Sequence, residues 1–71
     1  MVETYERLNN MLGSREQAFG KNGDGENVII ERGEDHDRGE GYVRTQTFQS
    51  NGWVRNNYYY EDGTVEELFD R

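Results

Sequence analysis

Val2, Tyr5, Leu8 and Leu12 recur at three- and four-residue steps, with Met11 beside them. This spacing draws the apolar stripe of a short amphipathic helix over about residues 2–12. Glu3 and Glu6 stand near its start, where the helix dipole favours anions, and Gly13 is placed to end it. Further along, the period changes. Val28-Ile29-Ile30 is the one continuous aliphatic run and predicts a core strand over about 27–32. Tyr42–Gln49 and Trp53–Tyr60 are rich in β-branched and aromatic types, predicting strands over about 42–49 and 53–60. A last strand is expected over about 64–69, although Thr64 with Glu67 also fits the cap of a terminal helix carrying Val65, Leu68 and Phe69. Residues 14–20 have two readings as well. Ser14 with Gln17 resembles a capping box, whereas Glu16–Gly20 reads as a strand turning through Asn22-Gly23-Asp24-Gly25. The fold class is α+β: one N-terminal helix packed on a small antiparallel sheet of three to five strands, a β-meander in its C-terminal half.

Asn51-Gly52 and Asp62-Gly63 suit two-residue hairpin turns, because both positions of each accept positive φ. Two-residue turns would fix the register, setting Ser50 opposite Trp53, Arg44 opposite Tyr59 and Tyr60 opposite Val65. One face then carries Val43, Val54, Tyr58, Tyr60, Val65 and Phe69 with Thr45 and Thr47, and should receive the helix. The other carries Tyr42, Arg44, Phe48, Trp53, Arg55, Tyr59 and Leu68. A three-residue turn with a bulge at Gly63 would shift the last strand by one and swap its faces. One helix covers one face, and arginine is costly to bury unpaired, so the second face should stay open.

Charge sharpens this picture. Residues 42–60 hold six of the nine aromatics, Arg44 and Arg55, and no acid; the flanks carry all fifteen acids and bring the net charge to −7. Arg32 to Gly41 is the most polar segment, with three glycines, four acids, two arginines and His36, and reads as a solvated acidic loop over 32–41. A chain of 71 residues forms one domain at most. At this length about 60% of the unfolded surface is buried, so the core is thin. There are no cysteines, which excludes disulfides and thiolate metal sites. No segment reads as a membrane span or signal peptide, and the expected compartment is the cytoplasm.

Catalytic chemistry finds little support. There is no cysteine nucleophile, no pair of histidines and no phosphate-binding loop. Asp24, Glu26 and Asn27 lack the spacing of a calcium loop, and Asp35-His36-Asp37 lacks a second histidine, so neither metal nor cofactor is expected. The leading expectation is a non-enzymatic module that binds a protein partner with a basic surface, or a second copy of itself as a homodimer. Its binding face is Tyr42, Arg44, Phe48, Trp53, Arg55 and Tyr59, types enriched at interaction hot spots. The alternative is a nucleic-acid mimic, in which Glu31, Glu34, Asp35, Asp37, Glu40, Glu61, Asp62, Glu66, Glu67 and Asp70 stand in for phosphates and fill a basic groove of a DNA- or RNA-handling protein. In size and charge the chain resembles small phage-borne inhibitors of that kind, anti-CRISPR proteins among them; the likeness is one of composition and no motif carries it. Direct single-strand binding through stacked aromatics Tyr42, Phe48, Trp53 and Tyr59 comes third, since the net charge opposes it.

Overall fold

The computed structural model describes residues 2–71; the side chain of Val2, first in the apolar stripe, lies outside the described part. Helix α1 (Val2–Leu12) is followed by five strands: β1 (Gln17–Lys21), β2 (Asn27–Asp35), β3 (Glu40–Phe48), β4 (Val54–Tyr60) and β5 (Val65–Asp70). The strands form one antiparallel sheet in the order β1-β2-β3-β4-β5, each pairing with its neighbour in sequence. The helix packs on one face, giving the α+β architecture that the apolar pattern predicts. The two segments left open between strand and helix, 14–20 and 64–70, thus contribute the strands β1 and β5, and neither forms a helix.

Residues paired across strands share a face, so the register sorts the side chains. Leu8, Leu12 and Val43 are buried together, with Tyr5, Ala18, Ile30 and Tyr59 packed around them. Ala18 pairs with Ile30, and Val43 with Tyr59, which places these on the helix side. This core is small, and a polar clamp supplements it. The last helix carbonyls lack intrahelical donors. Arg32, reaching over from β2, donates to the Asn9 side chain at 2.8 and 2.9 Å, to the Gly13 carbonyl at 3.0 Å and to the Arg15 carbonyl at 2.7 Å. Arg15 adds donors to the carbonyls of Leu12 and Met11. Two cations therefore sit at the negative end of the helix dipole, and one of them ties the helix to the sheet.

The segment 32–41, expected as a loop, mostly extends the sheet. β2 continues to Asp35 and β3 begins at Glu40, leaving only residues 36–39 between them. Charged residues hold strand conformation here because their partners lie across the fold: Arg32 finds the helix end and Asp35 accepts from the Tyr60 hydroxyl at 3.2 Å.

The hairpin register also departs from expectation. Gln49 N–H donates to the Trp53 carbonyl, and Gly52 N–H to the Gln49 carbonyl, enclosing a three-residue loop. The β4–β5 hairpin repeats this, with Tyr60 N–H donating to Thr64 and Gly63 N–H to Tyr60. Among the described residues only glycines have positive φ, so Asn51 and Asp62 do not adopt the conformation that a two-residue turn demands. Gly52 and Gly63, at φ 91° and 95°, take it alone, as a type I turn closed by a glycine bulge. Asn51 and Asp62 instead accept the N–H two residues on, from Trp53 and Thr64. One added residue turns β4 over: Tyr58 rather than Tyr59 opposes Arg44, and Tyr59 rather than Tyr60 opposes Val65. The second loop turns the chain back, so β5 keeps its expected sides.

Replacing Arg32 with lysine keeps the charge but loses the planar fork that serves several acceptors. Arg32→Lys should lower stability by about 1–3 kcal/mol, the range for hydrogen bonds to charged groups, in urea unfolding followed by circular dichroism. A change within experimental error would show that the clamp contributes nothing.

Candidate functional site at the acidic end of the sheet

The β2–β3 loop and the β4–β5 turn lie at the same end of the sheet, and Arg38 joins them. Its guanidinium pairs with Glu40 at 3.0 Å, Glu66 at 3.0 Å and Asp62 at 3.5 Å. It also sits 3.9 Å from the centre of the Tyr60 ring, a cation–π contact that buries Tyr60 on the face opposite the helix. The loop beneath is shaped by Asp35, whose Oδ1 accepts from the N–H groups of Asp37 and Arg38, while its carbonyl accepts from Gly39.

Tyr42, Tyr58 and Tyr60 form a cluster beside this loop. The Tyr42 ring meets Tyr58 edge-on at 5.2 Å and Tyr60 at 5.8 Å. Such pairs are favoured by ring quadrupoles. The phenol end of Tyr42 lies against Gly33, where a Cβ would fall 2.5 Å from its Cζ and hydroxyl oxygen. Arg44 pairs with Glu31 and lies 6.0 Å from the Tyr58 ring centre. Burial pushes the Tyr60 hydroxyl above its ordinary pKa; the nearby Glu66 and Asp35 add to the shift and Arg38 opposes it. The Asp62 carboxyl is held below its ordinary value, chiefly by the Thr64 backbone N–H that it accepts.

Two clefts open around the cluster. One, of about 690 Å³, is lined by Glu16, Glu34, Asp35, Glu40 and Glu61 around the backbone of Gly33 and Gly41. The other, of about 550 Å³, is lined by Tyr42, Tyr58, Tyr60 and Leu68 together with Glu34, Asp35, Asp37 and Glu66. With Asp62, eight of the fifteen acids gather at this end. Two arginines stand among them, and both are engaged: Arg32 by the helix and Arg38 by its carboxylates. Among the described residues, no three histidine, aspartate or glutamate side chains converge as a metal centre requires. No helix is long and apolar enough to cross a membrane.

The six residues of the expected aromatic–arginine face are divided. Tyr42, Arg44 and Phe48 share the uncovered side of β3. Tyr59 packs on the core under the helix, and Arg55 shares its side of β4. Trp53 lies at the far end of the sheet, beside Phe69 in a shallow pocket, with Arg71 4.5 Å above its ring. Val54 and Tyr58 take the places expected of Arg55 and Tyr59, and Tyr60 joins them opposite Tyr42. Of the ten acids singled out, Glu34, Asp35, Asp37, Glu40, Glu61, Asp62 and Glu66 converge at the end just described. Glu31 is tied to Arg44 and Gln17, and Glu67 and Asp70 run along β5. Arg38 and the tyrosine cluster escaped sequence reasoning. The signal was present in the Tyr58-Tyr59-Tyr60 run, but its alternation hinges on a loop length that no motif specified. Searches against family models, curated proteins and solved structures find no match to this chain.

Gly33→Ala should expel the Tyr42 ring and lose both tyrosine contacts, each worth about 0.5–1.5 kcal/mol. Tyr42→Ala should cost much less in the Gly33→Ala background than in the native chain, as a double-mutant cycle in urea would read. A second expectation concerns alkali. Because the folded-state pKa of Tyr60 is raised, its contribution to stability is intact below the unfolded value and is lost as pH climbs through the folded one. Titration by tyrosinate absorbance should find one late-ionising group, absent in Tyr60→Phe.

Proposed function

We propose that the protein is a small acidic, non-enzymatic interaction module that docks on a basic protein surface through the acid-and-tyrosine end of its sheet. The uncovered face bearing Tyr42, Arg44 and Phe48 extends this surface. The observation that carries the reading is the gathering of eight carboxylates around three tyrosines, with both local arginines already engaged. Such a surface attracts cations at long range, while tyrosine rings add short-range contacts to a guanidinium or ammonium group. Arg38 on Tyr60 displays that contact within the chain itself. A homodimer is less favoured, since each copy brings a net charge of −7. The lack of cysteine supports a reducing compartment, the cytoplasm.

The same carboxylates support a second reading, a nucleic-acid mimic that inhibits a DNA- or RNA-handling protein by filling its basic groove. The two differ in what competes. A mimic's partner releases it to duplex DNA or RNA, whereas a partner bound through the tyrosines as well retains it.

The Glu34 and Glu61 side chains are exposed and make no hydrogen bond or ion pair among the described residues, so their reversal tests the surface without breaking the fold. The double variant Glu34→Lys with Glu61→Lys should lose a captured partner by roughly tenfold or more, one or two close charge pairs being worth at least that, while its melting temperature holds or rises. Capture should also weaken steeply with salt, and Trp53→Ala should leave it within about twofold, since Trp53 lies outside the site. Capture insensitive to both the charge reversal and salt would reject the proposal.

A further inference from the structure

β5 is an edge strand in which every residue is exposed. Its free hydrogen-bonding groups follow from the register. Tyr60 donates to Thr64, so Thr64 faces β4, and in an antiparallel ladder the alternate residues Glu66, Leu68 and Asp70 do the same. Val65, Glu67 and Phe69 therefore direct their N–H and C=O groups outward, with no strand beyond. The side chains alternate across the sheet plane. Val65, Glu67 and Phe69 stand on the helix side, and Glu66, Leu68 and Asp70 on the other. The three apolar members, Val65, Leu68 and Phe69, are 42%, 54% and 50% exposed.

Edge strands invite pairing unless charge, proline or a bulge blunts them. β5 has no proline and no bulge, and its charge is all of one sign. It carries three carboxylates and no base, which discourages pairing with a second copy: an antiparallel pair of β5 strands would bring six carboxylates into one ladder. The opposite edge is less suited to a basic occupant, because Lys21 places a cation on it.

We propose that β5 accepts an extended basic segment of the partner protein as a sixth, antiparallel strand, with cations opposite Glu66, Glu67 and Asp70 and apolar residues opposite Val65, Leu68 and Phe69. The inference rests on the partner being basic, as argued above, and adds where and in what conformation it binds. The main-chain bonds give affinity and the alternating side chains give selectivity. Glu67 has the most to gain. Glu66 already pairs with Arg38 and Asp70 accepts from Asn56, whereas Glu67 has no intrachain partner.

The probe is an acetylated, amidated peptide containing Lys-Val-Val-Lys-Lys-Val, which in antiparallel register sets these side chains against Asp70 through Val65. Bound to the intact protein, it should slow amide exchange at Val65, Glu67 and Phe69 by roughly tenfold or more, because those amides pass from solvent into a ladder. Glu66, Leu68 and Asp70, already paired to β4, should change little. Glu67→Pro removes one outward N–H and no inward bond, an arrangement that edge strands tolerate. It should keep the circular dichroism of the parent and weaken peptide binding by roughly tenfold, the loss of about one hydrogen bond. If that variant fails to fold, Glu67→Lys supplies the same test through charge. Three results would overturn the inference: no binding of the peptide, binding without protection at the three outward amides, or equal binding by the Glu67 variants. Binding that is lost in the Glu34→Lys and Glu61→Lys variant but shows no edge protection would locate the contact at the acidic end, overturning strand addition while leaving the proposed function standing. Protection that arises without peptide, together with a doubled sedimentation mass, would assign the edge to a second copy.

Discussion

The Arg32 guanidinium ties the helix end to the sheet beside a thin apolar core. A helix of eleven residues is marginal by itself, and among the described residues the fully buried aliphatics are Leu12 and Val43, with Leu8 close behind. Apolar burial on that scale leaves little to set against the entropy of ordering the chain. Arg32 resolves two problems at once. It satisfies carbonyls that the helix end leaves open, and it fixes that end to the second strand, across 23 residues of chain at Asn9. Because its acceptors include backbone carbonyls as well as the Asn9 amide, the clamp holds the helix in place axially as well as laterally. The small apolar cluster then has only to complete an orientation already defined.

The acidic end reflects the opposite tendency. Eight carboxylates in one region repel one another and weaken the compact state. Arg38 offsets part of that cost by touching three of them and covering the Tyr60 ring, and so binds the β2–β3 loop to the β4–β5 turn. The remaining carboxylates are left without cations. A surface in which one arginine is shared so widely retains most of its negative field, and a basic partner would feel that field before contact.

Much of the architecture could be read from the chain. The stripe of Tyr5, Leu8 and Leu12 defined the helix, and Val28 to Ile30 marked a strand whose Ile30 reaches the core. Glycine with Asn or Asp located the β1–β2, β3–β4 and β4–β5 reversals. What could not be read was loop length. Asn51-Gly52 supports a two-residue turn with both residues at positive φ, or a three-residue loop with glycine alone there, and dipeptide identity does not choose between them. A difference of one residue exchanged Tyr59 for Tyr58 and Tyr60 on the open face, dividing the anticipated aromatic–arginine surface. The two errors cancelled at β5, so its faces came out as expected. The extended hairpin was hidden for a different reason. Arg32, Gly33 and Asp35 look like loop residues locally, and only distant partners, the helix end, the Tyr42 ring and the Tyr60 hydroxyl, keep them in strands.

The up-and-down strand order also bears on how the molecule assembles. Each strand meets the one just before it through a connection of a few residues, so closing each hairpin costs little chain entropy. Sheets of this kind have low contact order for a β-rich chain, and low contact order goes with rapid folding. The helix is the exception, since it must return across β1 to reach β2, β3 and β4. Assembly thus combines the short-range closure of successive hairpins with one longer-range docking of the helix, and the second carries the larger loop-closure entropy.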